Sequence, residues 1–162
     1  ANNSGATTNY GIYAWADSAT NNNAGYFDGD VDYTGTLTGP SDAKLKSGVE
    51  NYENALESLG KLRVTTYKFR TDGDAKYINL PSAKQYGFIA QELEQEFPEL
   101  IKNNIKPIDP SSKGTAETIE YKSVNYIGLI PVLTKSIQEQ QELIENLQSQ
   151  VDALQAEIKK LK

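Results

Sequence analysis

The chain has 162 residues, a net charge of −6, and no histidine, cysteine or methionine. The acidic balance argues against a nucleic-acid backbone as partner, the missing Cys and His remove the usual metal ligands and the commonest general base, and no apolar run approaches the roughly 20 residues that span a bilayer. A hydrophobic fraction of 38%, set against a globular norm of about 45–50% that counts Gly where this figure counts Tyr, suggests an elongated or oligomeric protein.

Residues 1–40 hold Asp17, Asp28, Asp30 and Asp32 and no Lys or Arg. Tyr10–Ala16 and Ala24–Leu37 each alternate weakly and are rich in aromatic and β-branched residues, which predicts short strands around a polar turn at Thr20–Asn23. Two short strands cannot bury a core alone. They must pack on the downstream domain or wrap around other copies; a flexible linker is the bland alternative. The alternation of Asp28, Asp30 and Asp32 lacks the Gly and distal Glu of a calcium loop, so it reads as strand polarity. A chain opening at Ala1 without methionine is expected to be a piece of something longer.

Pro40 marks a boundary, and Gly48 argues against one helix running on from Asp42. Val49, Tyr52, Leu56, Leu59 and Leu62 predict a helix from Val49 that ends near Gly60. Leu62–Arg70 alternates as a strand, and Thr71–Asp74 is a turn. Tyr86–Ala90 predicts a short buried strand running into a helix over Gln91–Phe97, ended near Pro98. Glu92, Glu94, Glu96 and Glu99 on that helix read as a solvated face. Residues 103–117, with Pro107, Pro110 and Gly114, predict a surface loop, and Thr118–Tyr121 a strand. From Val124 to Lys162 the chain predicts one long helix, with Pro131 tolerated near its start. From about residue 137 it carries a heptad, with Ile137, Ile144, Val151 and Ile158 at a and Gln140, Leu147, Leu154 and Leu161 at d. β-Branched a with Leu at d nominally favours two strands, with three as the competitor.

The junction Gly39–Lys46 is where the composition changes, and it holds Ser41 and Lys46 five residues apart. In a chain without His or Cys this is the best nucleophile–base pair on offer. Neither a strand nor a helix brings positions i and i+5 together, so contact within one chain needs a bend between them. By spacing alone the pair is equally a Pro-Ser-Asp turn followed by a solvated lysine.

Four blocks then add up. They are Ser41–Lys46; Ala55–Leu59 with Tyr67 downstream; Gly87–Glu94 with Phe97–Leu100; and Tyr121–Pro131 leading into the heptads. Their order and spacing resemble the C-terminal intramolecular chaperone domain of phage tailspikes and tail fibres, the peptidase S74 family, over about residues 41–150. The resemblance implies an α+β fold of short strands and helices, a β-rich stalk segment over 1–40, the chaperone domain over 41–123, and a C-terminal helix over 124–162 that forms a trimeric coiled coil. It implies a homotrimer that templates folding of the upstream stalk and then cuts itself once as a serine peptidase. Ser41 and Lys46 occupy the dyad positions, and the scissile bond lies between Pro40 and Ser41. Asp42 and Lys44 are supporting candidates, Lys44 standing where the family has Arg. The trimer interface is expected to use Ile137, Ile144, Leu147, Val151, Leu154, Ile158 and Leu161. No metal, cofactor, nucleic acid or membrane is expected, and the location implied is a phage virion tail fibre or a bacterial surface. A permanent, non-cleaving trimeric cap is the alternative. The family also resembles the assembly domains of membrane-anchored transcription factors, a reading that the acidic first 40 residues and the missing transmembrane stretch speak against.

Overall fold

A computed structural model of the chain describes residues 12–18, 22–109 and 117–161. A 3-10 turn at Ala43–Leu45 comes first, then helix α1 (Ala55–Gly60) and strand β1 (Thr65–Tyr67). A second 3-10 turn (Gly73–Tyr77), strand β2 (Gln85–Gly87) and helix α2 (Ala90–Glu96) follow. After a third 3-10 turn (Pro98–Leu100) come strands β3 (Ile101–Pro107) and β4 (Thr118–Val124), and last helix α3 (Leu129–Lys160). The strands form two antiparallel pairs, β1 with β2 and β3 with β4. Thr65 faces Gly87 in the first, and the second runs in register from Ile101 opposite Val124 to Pro107 opposite Thr118. This is the α+β class expected, with a long C-terminal helix.

The core is small. Leu93 and Phe97, one helical turn apart, bury against Leu129 at the start of α3. Leu59, Leu62, Phe88, Leu100, Ile101, Val124 and Val132 close around them. Helix α1 packs on α3, with Ala55 fully buried. Its start is unusual. Asn54 has φ 61° and gives no side-chain cap. The cap comes instead from Glu139 on α3, whose carboxylate accepts the Leu56 N–H at 2.8 Å and the Ala55 N–H at 3.3 Å.

Several expectations change at this level. The helix expected from Val49 forms only over Ala55–Gly60, and Val49 and Tyr52 are exposed. Its start is set by Asn54 and by Glu139, which is remote in sequence. The strand expected over 62–70 shortens to Thr65–Tyr67. The first part of the expected 103–117 loop is strand, because β4 supplies hydrogen-bond partners as far as Pro107, a position where proline ends a ladder without breaking it. Pro110 and Gly114 lie outside the described residues. Helix α3 starts at Leu129, not Val124, because Val124 pairs with Ile101 and Asn125 then accepts the Gly128 N–H at 3.0 Å in a turn. Pro131 falls in the first turn, where its missing N–H has no partner to lose.

Of the strands expected upstream, Tyr10, Gly11, Thr20 and Asn21 lie outside the described residues. Residues 12–16 and 24–37 form no strand within one chain. Ile12, Trp15, Phe27, Val31, Tyr33 and Leu37 are all exposed. Among the described residues no strand of the same chain pairs with them in a ladder.

Candidate functional site

At the junction, Asp42 caps the first 3-10 turn: its Oδ1 accepts the Lys44 N–H at 3.0 Å. The Leu45 N–H donates to the Asp42 carbonyl at 3.0 Å and the Lys46 N–H to the Ala43 carbonyl at 3.1 Å. This turn is the bend that the spacing requires. It carries Lys46 back over Ser41, so that Lys46 Nζ donates to Ser41 Oγ at 2.9 Å. Lys44 turns the other way and pairs with Asp42 at 3.3 Å. Its charge is therefore engaged by Asp42. All of Ser41–Glu50 is exposed in one chain.

Residues 41–102 match the family model of peptidase S74, described as the chaperone of endosialidase. Over that segment the chain is similar to the peptidase S74 family. The matched segment opens on Ser41 itself. The chain is 28% identical over 144 residues to Long tail fiber protein Gp37 of Salmonella phage S16, covering 86% of this chain and 17% of that protein. It is 32% identical over 78 residues to Myelin regulatory factor homolog 1 of Caenorhabditis elegans, covering 46% of this chain and 8% of that protein. Among solved structures, one described as a novel intramolecular chaperon aligns at a TM-score of 0.44 and 17% identity, covering 63% of this chain and 98% of that one. The chain thus spans less than a fifth of the S16 fibre.

Inside the S74 segment, Gly87 is buried because a tyrosine occupies the space a side chain would take. A Cβ there would lie 2.4 Å from the Tyr126 hydroxyl. That hydroxyl accepts the Phe88 N–H at 3.2 Å, and the Tyr126 ring stacks on Phe88. Tyr67 joins the cluster, its hydroxyl pushed up first by burial and then by Tyr126. Gly87–Phe88 is thus held by a residue from the segment that leads into α3.

The glutamates expected as a solvated face tie α2 to its surroundings. Glu92 receives Arg63 through two hydrogen bonds, Glu94 receives Lys122 at 2.7 Å, and Glu96 receives Lys61 at 3.3 Å. Among the described residues no cluster of three acidic side chains could hold a metal ion. Asp28 is instead paired with Lys106 at 2.9 Å.

The interface residues expected on α3, Ile137, Ile144, Leu147, Val151, Leu154 and Ile158, are all exposed along the helix, and Leu161 follows at its end. Stepping back from Ile137 by seven and by four gives Ile130 and Leu133, and both are exposed. The buried face of α3 is a different one, carrying Leu129, Val132 and Ser136. The apolar seam therefore continues past the domain to the first turn of α3.

Proposed function

We propose that this chain is the self-cleaving intramolecular chaperone of a phage tail-fibre protein, carried at the end of the stalk it helps to fold. The observation that carries this reading is the 2.9 Å contact between Ser41 and Lys46, at the head of the S74 match and at the point where the composition changes. Three copies associate through the α3 seam from Ile130 to Leu161. Assembly brings three upstream segments together, so that each gains the strand partners it lacks alone. The similarity to a long tail fibre supports a location in the virion tail.

Cleavage then follows from ordinary acyl chemistry. Neutral Lys46 Nζ takes the Ser41 Oγ proton, and Oγ attacks the carbonyl carbon of Pro40. The C–N bond between Pro40 and Ser41 breaks, and the Ser41 amine leaves with the proton that Lys46 returns. Water hydrolyses the resulting ester, freeing the Pro40 carboxylate and a chain that begins at Ser41. In the single chain Lys46 is drawn as a donor to Ser41 and is exposed. A lysine becomes a base when it is desolvated or set beside other cations. Neighbouring protomers supply that environment, which makes the cut conditional on assembly.

The exposure of the dyad also favours a second reading, a permanent trimeric cap that never cuts. Intact mass of the purified chain over prolonged incubation separates the two. Under the first reading a fragment appears whose N-terminal residue is Ser41. Ser41→Ala and Lys46→Ala leave the chain whole while the oligomer persists. Lys46→Arg also blocks, since a guanidinium does not deprotonate. Lys44→Ala slows the reaction at most. A wild-type chain that stays intact establishes the permanent cap, and a cut that survives Ser41→Ala assigns the chemistry to another residue.

A further inference from the structure

Lys106 on β3 is a charge with little water around it: its side chain is 11% exposed. It donates to the Tyr77 carbonyl and to Asp28 Oδ2, the latter at 2.9 Å, and sits 5.8 Å from the centre of the Tyr26 ring. Asp28 is held from a second side. The Asn79 N–H donates to its Oδ1 at 2.9 Å, and the Asn79 side-chain amide donates to its carbonyl at 3.3 Å. The Tyr121 hydroxyl on β4 is pushed up first by burial and then by Tyr26, and Lys102 donates to Asn23. Residues 23–29 therefore lie along β3 and the loop 77–79, bordering a cavity of about 770 Å³. Apart from Lys106 to Tyr77, these contacts join the upstream segment, before the proposed cut, to the domain that follows it.

We propose that β3 and the loop 77–79 form a docking site for residues 23–29 of the upstream segment, and that the Asp28–Lys106 pair sets its register on the domain. The proposal rests on the reading of residues 1–40 as a stalk that the domain aligns. Weakly patterned, Gly- and Asn-rich strands specify their own register poorly. An ion pair covered on one side is suited to supply it: Lys106 is 11% exposed against 38% for Asp28, so a misaligned chain leaves a largely covered ammonium without its carboxylate.

The chain offers three carboxylates at two-residue spacing, Asp28, Asp30 and Asp32. Only Asp28 fits. Two residues before it stands Tyr26, which meets Tyr121 and Lys106. One residue after it stands Gly29, whose φ of +146° suits glycine alone and whose Cβ position lies 3.4 Å from the Asn79 amide nitrogen. A slip of two puts Asp28 in place of Tyr26 and Val31 in place of Gly29. A slip of four puts Asp30 and Tyr33 there. Each misplaced register sets a carboxylate where the aromatic ring belongs and a β-substituted residue where the backbone requires glycine.

The test uses the full chain in a Ser41→Ala background, so that a wild type which never cuts sinks the preceding reading and leaves this one standing. Hydrogen exchange is followed at the Asn79 amide, the donor to Asp28, together with chymotryptic cleavage after Tyr26 and Phe27. Asp28→Asn, Lys106→Gln and Gly29→Val are each expected to speed exchange at Asn79 by roughly tenfold and to expose the Tyr26–Phe27 bonds, while Asp30→Asn changes neither. Exchange at the Leu93 amide, in the core, reports whether each variant is still folded. Equal effects of Asp28→Asn and Asp30→Asn overturn the register assignment. An Asn79 amide that exchanges at one rate in the parent chain and all variants overturns the docking site.

Discussion

Ser41 and Lys46 meet at 2.9 Å, and the proposed dyad rests on that contact. The geometry is already made by three residues of 3-10 turn and by the Asp42 cap, all local in sequence. In the single chain both side chains are exposed. A different residue-scale constraint operates at Gly87, where the Tyr126 hydroxyl fills the position of a Cβ. Gly87→Ala is expected to displace that hydroxyl from the Phe88 N–H and destabilise the fold by about 1–2 kcal/mol in urea titration. Tyr126→Phe removes the obstructing atom, and the nearest remaining ring carbon is then 3.4 Å away. In that background the same alanine is expected to cost clearly less. Equal costs in the two backgrounds would show that the hydroxyl is not the obstacle.

Helix α1 has six residues, too few to persist alone, and it exists because α3 both covers and caps it. The backbone N–H groups of Leu56 and Ala55, with Lys135 nearby, hold the Glu139 carboxyl below its ordinary value of 4.5 against a smaller opposing effect of burial. A depressed carboxyl contributes stability above its unfolded pKa and loses it as pH falls through the folded value. Glu139→Ala should therefore lower Tm at neutral pH and leave little difference from wild type below the folded pKa. A Tm difference that stays constant from neutral to strongly acid solution would falsify the capping role. Along the free half of α3, Val151→Asp with Leu154→Asp places two carboxylates per chain, six in a trimer, into the seam. They cannot be paired there, and sedimentation should return monomers.

Across the whole molecule the imbalance is between a small core and a large exposed apolar surface. Among the described residues five hydrophobic side chains are buried, while the apolar face of α3 and the aromatic residues of the upstream segment lie open. On the proposed reading, copies of the same chain cover this surface. The intact protein is expected to sediment as a parallel trimer, and a dimer mass would overturn that stoichiometry, which the a and d residues by themselves lean towards. Outside the docked residues 23–29, the first 40 residues are expected to resist protease only in the assembled protein, since their apolar content is too small to offset chain entropy in a monomer. Resistance over residues 30–40 in the Val151→Asp, Leu154→Asp chain would count against it.

By itself the sequence determined the features written in local chemistry or short periods. These are the junction at Pro40–Ser41, the helix that ends at Gly60, the strand leading into α2, and the heptads of α3. The ordered blocks also carried the likeness to the S74 family over residues 41–102. Tertiary structure decided whatever depends on partners remote along the chain. Asn54 breaks the expected helix, but only Glu139 explains where α1 starts. Residues 103–107 have loop composition and become strand because β4 supplies their hydrogen bonds. The α2 glutamates look solvated in sequence yet find Arg63, Lys122 and Lys61 across the fold. Asp28 is one of three similar carboxylates until Lys106 and Asn79 select it. The physical reason is the same each time: a periodic pattern reports which face a residue occupies, whereas a hydrogen-bond or ion-pair partner is chosen by where the fold brings distant segments together.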